Sequence, residues 1–69
     1  MTDSIRLKKI IEESGLKIAA FLDAMGIRNY QTLWNKVEGE SEFTAREISI
    51  LSGMLHLSVA DRDAIFFAK

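Results

Sequence analysis

The chain has 69 residues, 48% apolar and 28% charged, with a net charge of −1; this is room for one small domain, 1–69, and its composition is that of a folded protein rather than a disordered one. Cysteine is absent and His56 is the single histidine, which excludes disulfides, thiolate sites, cysteine nucleophiles and a histidine-based metal cluster. A pI near 5.7 argues against a histone-like binder held by charge alone. The longest apolar run, Ile18 to Leu22, is far shorter than the ~20 residues of a membrane span. The Met-Thr-Asp-Ser start lacks a basic leader, so the expected location is the cytoplasm.

Helical spacing dominates, proline is absent, and glycines at 15, 26, 39 and 53 punctuate the chain. A first helix is expected from Asp3 or Ser4, either of which can cap it, with Leu7, Ile10 and Ile11 inward and Gly15 at its end. A second runs from about Lys17 to Met25 and stops at Gly26. Its apolar face is Leu16, Phe21, Leu22 and Met25, and Lys17 is a poor cap, so packing must hold it.

The third helix follows Asn29, its natural cap. Tyr30, Leu33, Trp34 and Val37 form an apolar stripe at i, i+3, i+4 and i+7. Gln31, Asn35 and Glu38 lie opposite, flanked by Thr32 and Lys36, and Gly39 terminates it. The stripe reads as core at Leu33 and Val37 and as partly buried at Trp34, which has the additional options of a DNA contact or a partner interface.

Thr44-Ala45-Arg46-Glu47 has the capping-box pattern, with Phe43 and Ile48 spaced as a hydrophobic staple. The fourth helix continues through Leu51 and Leu55, with His56 near its end in a structural role. A second box-like pattern, Ser58-Val59-Ala60-Asp61, opens a fifth helix that ends at Ile65-Phe66-Phe67. Adjacent helical residues point about 100° apart, so one Phe is expected in the core. The other either contacts a second copy, making a homodimer, or covers a groove on its own domain. The expected fold is an all-α, compact five-helix domain.

The segment from Leu16 to Ile27 has the layout of a helix-turn-helix entry. Thr32-Leu33-Trp34-Asn35-Lys36-Val37-Glu38-Gly39 resembles a recognition helix of the Cro/repressor-type (lambda-repressor-like) family. Phe43 to Ile48 and Ile65-Phe66-Phe67 are similar to short phage-encoded regulators of that family. Leu22 stands where such domains usually carry alanine, Lys17-Ile18 where they carry Thr-Gln, and the stretch between Gly26 and Thr32 is one residue longer.

The resemblance implies a helix-turn-helix over about 17–38 that binds double-stranded DNA, with the third helix in the major groove. Gln31 and Asn35 would then read base edges. Lys17, Arg28, Thr32 and Lys36 would contact phosphates. Taken without the resemblance, the same side chains suit a solvated helix face. The acidic run Glu38, Glu40 and Glu42 is expected to face away from DNA. The resemblance further implies a transcription regulator in the cytoplasm of a bacterial host.

No nucleophile–base pair, glycine-rich phosphate loop or cofactor motif is present in the sequence, so no enzyme, cofactor, metal or small-molecule substrate is expected. The rival reading is a protein-interaction module of the same fold, an antirepressor or adaptor without an operator of its own. It draws on the near-neutral charge, the departures at Leu22 and Lys17-Ile18, and Trp34, Phe66 and Phe67 as interface candidates. Charge is uneven along the chain: residues 1–36 hold six bases and four acids, residues 37–69 three bases and six acids. The proposed reading unit lies mostly in the positive half.

Overall fold

A computed structural model describes residues 1–68. Five helices follow in order among them: α1 (Ser4–Glu13), α2 (Ile18–Met25), α3 (Tyr30–Val37), α4 (Ala45–Met54) and α5 (Val59–Phe66), with no strand. The fold is all-α. Its radius of gyration of 10.8 Å equals the ~11 Å of a well-packed globule of this length.

Each helix starts where the sequence supplies a polar cap, with one exception. Asp3, Asn29, Thr44 and Ser58 accept from backbone amides of α1, α3, α4 and α5. Thr44 and Glu47 complete a reciprocal box, and Phe43 and Ile48 are both buried as the staple requires. Ser58 forms only half a box, because the Asp61 carboxylate pairs with Arg6 on α1 at 3.3 Å instead. At α2, Lys17 provides no side-chain bond. A missing cap costs about 1 kcal/mol. Burial of Phe21 and Met25 returns about 1.5–3 kcal/mol each, so packing decides that α2 is a helix.

The core is Leu7, Ile11, Phe21, Met25, Leu33, Val37, Phe43, Ile48, Leu51, Ile65 and Phe66. It draws on all five helices: α1 packs on α3 and α5, α2 on α4, and α4 on α5. The backbone of Asp3 closes the N-terminus onto α5 through a 2.7 Å bond to the Ile65 carbonyl.

Three expectations need correction. Leu16 and Tyr30 are exposed: Leu16 precedes α2 and Tyr30 is the first residue of α3, so neither helix carries its side chain far enough inward. Gly53 punctuates nothing, since it lies inside α4. The left-handed residue after α4 is His56, at φ 54°, and the turn is closed by a 2.9 Å bond from the Leu57 amide to the Ser52 carbonyl.

Candidate nucleic-acid interface

The α2–α3 unit is made by its glycine. Gly26 has φ 71°, a left-handed conformation that a side chain disfavours by about 1–2 kcal/mol. Its amide bonds the Asp23 carbonyl and that of Ile27 bonds Leu22, the double closure that ends a helix and turns the chain. Only Gly26, Ile27, Arg28 and Asn29 separate the two helices, a connection as short as those that join closely spaced helices. Asn29 Oδ1 then accepts from the Gln31 amide at 2.7 Å and starts α3.

Leu33 and Val37 are fully buried, and Trp34 is half-buried against the same core. Trp34 also meets Tyr30 edge-on, with ring centroids 5.7 Å apart. With one side of α3 thus sealed, Gln31 and Thr32 face solvent, while Asn35 and Lys36 are half-buried. Lys17 and Arg28 are exposed and form no ion pair among the described residues.

The structure brings Gln31 and Asn35 together, with Gln31 Nε2 2.9 Å from Asn35 Oδ1. That orientation sets Asn35 Oδ1 against the Glu40 carboxylate, two acceptors that repel. A half-turn of the Asn35 amide relieves this, and its nitrogen then donates to Glu40 Oε2 at 3.1 Å and to the Gln31 carbonyl at 3.3 Å. We adopt the turned orientation for that reason. The turned nitrogen also lies 2.9 Å from Gln31 Nε2, where two donors meet, so the Gln31–Asn35 side-chain bond belongs to the other orientation only.

Lys36 departs from its expected role. Its ammonium lies 2.8 Å from Glu47 Oε1 and also donates to the Glu42 carbonyl, and its side chain is only 15% exposed. It ties α3 to the first turn of α4 rather than standing free for a phosphate. Burial alone raises the Glu47 pKa; the hydrogen bonds from Lys36 and Thr44 and the attraction of Lys36 outweigh that, and the net shift is downward.

The acidic run does not lie apart from α3. Glu38 pairs with Lys8 on α1, and Glu40 lies against Asn35. Gly39 brings this about. At φ 87° it bends the chain so that its own amide bonds the Lys36 carbonyl at 3.2 Å and the Glu40 amide bonds the Asn35 carbonyl at 2.9 Å. The residue after such a turn sits over the helix's last turn. Sequence reasoning named Gly39 as the stop, and this rule carries the signal for Glu40. The Lys36–Glu47 pair spans 11 residues between two helices, and no local pattern announces it.

Phe66 is corrected as an interface candidate: it is buried and packs edge-on against Phe43, with centroids 5.4 Å apart. Phe67 is 57% exposed. It borders a cleft of about 390 Å³ lined by Met1, Phe43, Ile48 and Phe66 among others. Among the described residues no helix is long and apolar enough to cross a membrane, and no group of three or more His, Cys, Asp or Glu is placed to hold a metal ion. Comparison of the chain with known family models, curated proteins and solved structures finds no match.

Proposed function

We propose that the chain binds duplex DNA through α2 and α3 as a small lambda-repressor-like regulator of phage or prophage type. The observation that carries this reading is the α2–α3 unit: a left-handed Gly26, a four-residue turn and an α3 whose inner side is Leu33 and Val37. Its other side holds Gln31, Thr32 and Asn35.

In this reading α3 enters the major groove, Gln31 and Asn35 meet base edges, and Lys17, Arg28 and Thr32 set the register on phosphates. Lys36 orients α3 through Glu47. With few free cations, non-specific affinity is weak, and exposed Phe67 is the side chain we assign to contact with a second copy on paired half-sites. Selection from a randomised duplex pool with the purified protein is the test. Enrichment of a defined sequence supports the reading, and failure to retain duplex at low salt overturns it.

Two observations favour a second reading, a protein-interaction module of this fold. Lys36 is neutralised by Glu47, and the Glu40 carboxylate lies beside Asn35 on α3, and both weaken attraction to phosphate. Salt separates the readings: a DNA binder loses affinity with a log–log slope near −0.9 per phosphate neutralised, whereas an apolar protein contact does not.

A further inference from the structure

The function of Asn35 depends on which end of its amide faces outward, and the surface holds a device that settles it. Gly39 returns the chain so that Glu40 lies over the last turn of α3. There Glu40 Oε2 accepts from the Asn35 nitrogen at 3.1 Å. A carboxylate has only acceptors, so it holds one end of the amide and rejects the other. The Gln31 backbone carbonyl, one turn earlier, accepts from the same nitrogen at 3.3 Å.

We infer that Glu40 is a specificity-determining positioning residue, whose carboxylate fixes the Asn35 amide so that one of its two orientations faces a base. The inference rests on the DNA-binding reading. An amide has two N–H groups and one oxygen. With its two N–H groups taken by Glu40 and the Gln31 carbonyl, Asn35 has only its oxygen left for a base, an acceptor for an amino group such as adenine N6 or cytosine N4. An Asn35 free to rotate offers either end at random and loses part of that match. Glu40 also repels the phosphate backbone, so its presence costs affinity for every sequence while sharpening the choice among them. Opposite effects on affinity and selectivity distinguish positioning from a contribution to folding.

Glu40→Gln is the informative variant. It keeps the size and removes the charge, and the resulting amide can face Asn35 with either end. The helix stop uses the Glu40 backbone amide and is untouched, which thermal unfolding checks. Wild type and Glu40→Gln are each carried through selection from a randomised duplex pool, with affinities measured on the enriched duplex and on a scrambled one. The expected result is tighter binding of Glu40→Gln to the scrambled duplex, with preference at one base position reduced by up to about tenfold, the low end of what one base contact discriminates. In an Asn35→Ala background the same change should leave that preference unaltered. Equal gains on both duplexes with an unchanged preference would overturn the positioning role while leaving the DNA-binding reading intact. A wild-type protein that enriches no sequence would remove both.

Discussion

Glu47 has three duties at once. It caps α4 with Thr44, accepts from Lys36, and is itself buried. Its folded-state pKa lies below its ordinary 4.5, so ionised Glu47 stabilises the fold above the unfolded value, and this contribution is lost as pH falls through the folded value. Glu47→Gln keeps a capping acceptor and loses the charge. It should cost about 1–2 kcal/mol at pH 7, and the gap to wild type in denaturant melts should narrow as pH falls from 4.5 through the lower folded-state value. His56 and Gly53 are each placed against their own preference. His56 adopts φ 54°, while Gly53 is helical with open space around its missing Cβ. Gly53→Ala should therefore stabilise by about 0.5–1 kcal/mol, read as a rise in the thermal midpoint. The punctuation rule named four glycines; it fails at Gly53 because the left-handed turn falls three residues later, where His tolerates it.

The elements were legible from their ends. Asp3, Asn29 and Thr44 mark starts, and Gly26 and Gly39 mark stops, because caps are local chemistry carried by one side chain or by the lack of one. Tyr30 and Leu16 misled because periodicity gives a direction around a helix but not the depth of a residue at its end. Lys36 misled because its partner lies on another helix, and only packing brings α3 beside the first turn of α4. Gly26 and Gly39 carry the turns on which the candidate interface depends. Alanine at either, forced to φ 71° or 87°, should lower stability by about 1–2 kcal/mol, seen as a thermal midpoint roughly 4–8 °C lower per kcal/mol. Gly39→Ala should also relax the base preference assigned to Asn35, since the Glu40 backbone no longer settles over it.

For the whole molecule, the two terminal phenylalanines divide the work. Phe66 closes the core against Phe43, and Phe67 lies outside it beside the cleft that Met1 borders. Phe66→Ala should cost about 3–5 kcal/mol, enough to unfold much of a domain this small at room temperature. Phe67→Ser should leave the melt within about 0.5 kcal/mol of wild type and, if Phe67 joins two copies, shift sedimentation toward the monomer. The charge split between residues 1–36 and 37–69 is partly undone by folding, which sets Glu47 on Lys36, Glu38 on Lys8 and Glu40 beside Asn35. Lys17 and Arg28 remain as exposed cations at the two ends of α2. The central claim, duplex recognition by α2 and α3, is tested most directly by titrating the pool-selected duplex over a range of salt with wild type and with Arg28→Ala. The account predicts measurable binding whose log–log salt slope loses about 0.9 in the variant, with base preference unchanged. Absence of duplex binding at the lowest salt, or a slope that Arg28→Ala leaves untouched, would contradict it.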